Sequence, residues 1–182
     1  MKFVRTAQAP LAAIFILAVA SGCNSGKSAP TPANFIQTLN NSFLTRNECL
    51  FPQAPRFPYE TSDPAETKQF DALVKATLLT VAQEAAIHVS RYTVTTTGTR
   101  YAPRFCYGHR NVTAIDAFTP PATANGFPET RVTYRYTIVD VPIWAKTPAV
   151  EAAFPQMAHA ISSESTDQAT LAQTVAGWTV PD

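Results

Sequence analysis

Glycine is scarce in this chain, with 6 in 182 residues, and histidine and cysteine number three each. No Gly-x-Ser-x-Gly elbow and no phosphate-cradling glycine loop occurs, so serine-hydrolase and nucleotide-binding readings have no support. Charge is also low, at 15% Asp, Glu, Lys and Arg, and the formal net charge is only +1. A protein that neutralises a phosphate backbone needs a basic surplus. None exists here, so no nucleic-acid partner is expected. Apolar residues nevertheless make up 46% of the chain, too many for a disordered one. No run of apolar residues approaches the ~20 that a membrane-spanning helix requires.

What is present begins at the amino end. Lys2 and Arg5 precede the unbroken apolar stretch Leu11 to Val19, and the small residues Ala20, Ser21 and Gly22 close it. A short positive start, an apolar middle and a small-residue end are the three parts of an export signal. Cys23 follows directly. The stretch LAVASGC (17–23) resembles the lipobox of bacterial lipoproteins, although Ala20 stands where those sequences usually carry Leu. The resemblance implies that residues 1–22 are removed and that Cys23 becomes the first mature residue, lipidated on its sulfur and its amino group. One acyl chain holds a protein to a membrane only marginally, whereas several suffice. Asn24 stands where an inner-membrane lipoprotein would favour Asp, so the sorting analogy points to the outer membrane.

With residues 1–22 removed, twelve Lys and Arg face thirteen acidic residues. With Cys23 lipidated, Cys49 and Cys106 remain, and in an oxidising compartment two leftover cysteines most simply pair. The alternative is a free Cys106 thiol beside His109, three residues on, acting as a nucleophile or as half a metal site. Structural zinc needs four ligands, and Cys49, His88 and His159 are the other Cys/His candidates. No metal and no cofactor is implied. Asp116 and Asp140, on or at the end of expected strands, are the acidic residues a catalytic reading would use, though edge residues of this kind are ordinary in sheets.

Residues 23–31 read as a flexible tether, since NSGKSAPT has no apolar period. The rest, 32–182, is read as a single α+β domain with possible sub-units 32–102 and 103–182. Thr31-Pro32 opens a helix over 32–46, with Phe35, Ile36, Leu39, Phe43 and Leu44 at helical spacing. Proline-rich 50–62 is extended or loop. Asp63-Pro64 opens a second helix over 64–77, and two β-rich pieces follow at 80–86 and 88–95. FDALVKATLLT followed by RYTVTTTGTRY resembles a winged-helix unit, which as a fold implies no function.

An antiparallel sheet with a packed helix is expected after it. One strand covers 109–118. In 129–139, Val132, Tyr134, Tyr136 and Ile138 alternate with Arg131, Thr133, Arg135 and Thr137. A helix begins at Pro148 and is kinked or split at Pro155, and 168–180 has β composition. FDALVKATLL, Phe105-Cys106-Tyr107-Gly108-His109, VTYRYTIVDVPIWA and AVEAAFPQMAHAI are similar to segments of uncharacterised Gram-negative envelope lipoproteins. That similarity implies compartment and fold but no activity.

Tyrosines and arginines are interleaved around the expected sheet, a composition favoured at interfaces. Arg131, Arg135, Tyr107 and Arg110 are the candidate binding face. The sequence therefore leads to a lipid-anchored outer-membrane protein, facing the periplasm or the surface, that works as a non-catalytic binding or assembly module for an envelope protein or small ligand. The alternatives are a periplasmic enzyme using Cys106 and His109, or a small-ligand carrier.

Overall fold

The structure is a computed structural model, and it describes residues 25–181. Cys23 and the segment expected to be an export signal lie outside the described residues. In chain order the elements are α1 (Ser25–Ser28), α2 (Pro32–Phe43), β1 (Asn47–Cys49), β2 (Tyr59–Thr61), α3 (Pro64–Lys75), β3 (Leu79–Glu84) and β4 (Val89–Val94). They continue with β5 (Cys106–Phe118), β6 (Ala122–Ala124), β7 (Phe127–Val139), α4 (Pro148–Ala153), α5 (Pro155–Ser162), β8 (Ser165–Thr174) and β9 (Gly177–Thr179). The class is mixed α+β. A curled antiparallel sheet runs β1-β5-β7-β8-β9, with β6 also on β7, and a smaller antiparallel sheet runs β2-β4-β3.

The helix starts follow their caps. The Thr31 hydroxyl accepts from the Asn34 amide and Pro32 occupies the first turn of α2. Asp63 Oδ1 accepts from the Ala65 and Glu66 amides at 2.8 and 2.9 Å, with Pro64 opening α3. Both helices end earlier than the apolar spacing predicts. Leu44 is exposed, and from Asn47 the backbone pairs with β5 instead. Thr77 adopts a left-handed φ of 63°, and the Thr77 and Leu78 amides turn back to the Val74 and Leu73 carbonyls. That is a Schellman stop, usually made by glycine. The helix opened by Pro148 divides into α4 and α5 at Pro155, whose ring cannot continue the hydrogen-bond ladder.

The winged-helix expectation is corrected. Its helix and ribbon exist as α3, β3 and β4, but α2 packs on β5 and β9 while α3 packs on α4 and β3. The helical bundle of a winged helix is therefore not assembled. The ribbon is a three-stranded sheet instead, because β2 pairs with β4. The segment expected to be a tether is hydrogen-bonded to the fold from Gly26 on. Gln173 Nε2 donates to the Ser28 carbonyl and Trp178 Nε1 to the Ala29 carbonyl, while Asn34 Nδ2 donates to those of Gly26 and Ala29.

Two hydrophobic clusters form the core, and each draws on both halves of the chain. One gathers Phe70, Leu73, Tyr92, Phe105, Trp144, Val150, Met157 and Ile138 between the small sheet, α3, α4, α5 and the end of β7. The other presses Phe35, Leu39 and Phe43 of α2 against Val112, Val132, Tyr134, Leu171 and Trp178. Tyr136 packs against both. The alternation expected for β7 is present: Thr130, Val132, Tyr134 and Ile138 are buried while Arg131 and Arg135 are exposed. The segment 168–180 divides into β8 and β9 around the turn Val175-Ala176.

Candidate functional site

The four residues expected to share a binding face occupy two faces of the large sheet. β5 starts with Cys49 and Cys106 bonded to each other, which ties β1 to β5. Gly108 then takes φ 138°, where a Cβ would collide with the Val139 carbonyl oxygen. Only glycine fits that turn of the strand. Two bulges follow, between Val112 and Ala114 and between Ile115 and Ala117. The result is a strand whose faces cannot be read by counting, and Tyr107 and Arg110 fall on the core side.

Arg110 sits where the two hydrophobic clusters meet. Its Nε donates to Glu48 Oε1 and its Nη1 to Asp167 Oδ2, both at 2.6 Å. The guanidinium lies 4.5 Å from the Tyr136 ring centroid and 5.7 Å from that of Phe43. Burial acts to lower its pKa, but the hydrogen bonds to Glu48 and Asp167 outweigh it and hold the charge more firmly than usual. Burial and the Glu48 charge push the Tyr107 hydroxyl up, and burial and the Asp167 charge do the same for Tyr134. With a carboxylate on either side and rings packed against its plane, Arg110 fastens β1, β5 and β8 together. It is a poor receptor for an incoming anion.

Arg131 and Arg135 project from the opposite, solvent face. Arg135 Nε bonds Asp116 Oδ1 and Nη1 bonds Glu164 Oε2, each at 2.9 Å. These hydrogen bonds raise the Arg135 pKa. Those from Thr113 and Arg135 lower that of Glu164. Asp116, singled out as a candidate acid, is thus an exposed ion-pair partner. In the register of β7 and β8, Arg131 stands beside Thr170, Thr133 beside Gln168 and Arg135 beside Thr166. The three β8 residues are exposed. This is an exposed array of hydroxyl, amide and guanidinium groups, able to hydrogen-bond an extended polar partner.

The Cys106–His109 pairing is corrected as well. Cys106 has no thiol to ionise, and His109 Nδ1 lies 3.6 Å from Asp140 Oδ2. These residues border a shallow depression of about 530 Å³ with Arg100, Tyr101 and Pro142. His88 borders a separate one with Asp71 and Ser90, and the backbone carbonyl of His159 caps the end of α5 by accepting from Ser162 and Ser163. The three histidines are therefore not brought together. Trp144 is one of the aromatic residues that the sequence interleaves with arginine. Its Nε1 is buried without a hydrogen-bond partner, and its ring packs edge-on to Tyr101 at 5.5 Å beside a mostly apolar cleft.

Comparison with protein-family models, with characterised proteins and with solved structures gives no match to this chain.

Proposed function

We propose that this chain is an outer-membrane lipoprotein, held by lipid on Cys23, whose folded part is a non-catalytic binding or assembly module in the envelope. The observation that carries the reading is the export signal ending in LAVASGC, with Cys23 directly after its small residues. The Cys49–Cys106 disulfide supports it, because such bonds persist in oxidising compartments. The contact surface we assign is the solvent face of β7 and β8, centred on Arg131, Arg135 and Thr170, and the partner is an envelope protein. Tyr107 and Arg110 belong to the framework beneath it.

Growing cells with an alkyne-tagged fatty acid tests the anchor. The wild type should take up the tag and sediment with the outer membrane, and Cys23→Ser should do neither. An untagged wild type would sink the reading. The contact face is tested by cross-linking in the envelope, comparing the wild type with Arg131→Glu/Thr170→Glu. An unchanged set of cross-linked products would refute the face.

A second reading, a small-ligand carrier, is favoured by one feature. The cleft beside Tyr101, Ile143 and Trp144 holds about 530 Å³ and leaves Ile143 88% exposed. Native mass spectrometry of freshly purified protein decides it: a mass matching the chain and its lipid alone excludes a carried ligand.

A further inference from the structure

One end of the large sheet differs from the rest of the molecule. The β6–β7 turn at Asn125-Gly126 and the β8–β9 turn at Val175-Ala176 lie side by side there, because Glu129 pairs with Ala172 and the two strands continue in register toward both turns. The stretches that build this end, 117–128 and 168–181, contain no charged residue in a chain that is 15% charged. Residues 117–127 are all exposed. Among them Phe127 is 51% and Phe118 39% exposed, and Val175 on the neighbouring turn is 97% exposed. One carboxylate borders this tip, Glu129, whose Oε1 accepts from Asn125 Nδ2 at 3.2 Å, while the ion pairs from Arg110 to Asp167 lie farther along the strands.

The chain enters the fold at the same end. α1 packs on β9, with the Lys27 carbonyl against Gly177, and the Ser28 and Ala29 carbonyls are held by Gln173 and Trp178. Cys23 precedes Ser25 by two residues, at most about 7 Å of extended chain. A lipid on Cys23 therefore emerges beside the two turns. The docked segment leaves no long stalk to carry the fold away from the bilayer.

We propose that the tip formed by the β6–β7 and β8–β9 turns rests in the lipid headgroup layer, with Phe127 and Val175 inserted at the boundary with the acyl chains. The inference rests on the lipid-anchor reading and adds an orientation to it. Exposed aromatic and aliphatic side chains partition to that boundary, and the exposed Lys27 beside them is attracted to anionic headgroups.

The test uses the full lipidated protein with Val175→Cys carrying a nitroxide, reconstituted into vesicles of phosphatidylethanolamine and phosphatidylglycerol. Cys49 and Cys106 are bonded to each other, so the label goes to the new cysteine. Ile87→Cys, at the exposed β3–β4 turn, is the control. On reconstitution the label at 175 should become several-fold more accessible to oxygen and less so to an aqueous nickel complex, while the label at 87 stays aqueous. A second pair, Phe127→Asp/Val175→Asp with the label at Ala176→Cys, should return the tip to water while the protein still floats with the vesicles. Protein that floats with an aqueous label at 175 overturns the orientation and leaves the anchor standing. Protein that does not float overturns both. Spin–spin broadening at 175 that disappears on dilution with unlabelled protein assigns the tip to a second copy, and also overturns the proposal.

Discussion

Arg110 and Asp167 are joined across the sheet at 2.6 Å, although 57 residues separate them and neither lies on the strand between. β7 runs between their strands and supplies Tyr136, on whose ring the guanidinium lies. The pair, with Glu48 completing it, links β1, β5 and β8. A half-buried cation with two carboxylates is stable as a set and unstable once broken.

Arg110→Met should therefore leave Glu48 and Asp167 facing each other without a cation. We expect a loss of about 2–4 kcal/mol, read as a lower urea midpoint. Adding Glu48→Gln and Asp167→Asn to that variant should recover a large part of the loss. A midpoint unchanged by Arg110→Met would show that the three charges are not coupled.

Thr77 ends α3 in a left-handed conformation that β-branched residues rarely adopt, and its side chain is exposed. Relief of that strain is worth about 1–2 kcal/mol. The freer unfolded chain of a glycine variant takes back about 0.4–1 kcal/mol. Thr77→Gly should therefore raise stability by up to about 1.5 kcal/mol in thermal unfolding, and a lower melting temperature would contradict the assignment.

The disulfide closes a loop with a sequence separation of 57. On the chain-entropy model that restricts the unfolded state by about 4 kcal/mol. Cys49→Ser/Cys106→Ser should lower stability by up to that amount, while circular dichroism keeps its native shape because β1 and β5 remain hydrogen-bonded. Collapse of the spectrum would mean that the bond is required for the fold itself.

Tyr59, Tyr92, Tyr107 and Tyr134 all have hydroxyls pushed above the ordinary value of 10.0, chiefly by burial. Neighbouring carboxylates add to the shift: Glu66 at Tyr59, Asp71 at Tyr92, Glu48 at Tyr107 and Asp167 at Tyr134. A group whose folded pKa is raised contributes stability that is complete below its unfolded pKa and is lost as the pH climbs toward the folded one. Unfolding should therefore release protons above about pH 10, with a steep fall of the urea midpoint there and little change between about pH 7 and 9 from these groups. Tyr107→Phe should flatten that fall. A midpoint flat through pH 11 would show that the hydroxyls ionise equally well in the folded protein.

The elements legible in the sequence are those with a local cause. Asp63-Pro64 and Thr31-Pro32 start helices, Pro155 divides one, and the alternation of Val132, Tyr134 and Ile138 marks a strand with one wet face. β1 and β2 are three residues each, too short to show a period, and they exist because β5 and β4 offer them edges. The candidate face was half legible for a related reason. Arg131 and Arg135 obey the strict alternation of β7, whereas on β5 the register with β1 slips at Gly108, so Tyr107 and Arg110, three residues apart, both fall on the core side, and the two bulges beyond them put the rest of β5 out of step. No local pattern reveals that Arg110 finds its partners 62 residues before it and 57 after.

β5 and β7 are thirteen residues each and hydrogen-bonded along most of their length. At about 3.3 Å per residue such a strand measures about 40 Å. The paired strands act as a strut with a fixed span. The disulfide, His109 and the cleft beside Trp144 sit at one end of it, and the uncharged turns sit at the other. Whatever meets the disulfide end is thereby held apart from whatever meets the turns, by up to about 4 nm along the strands.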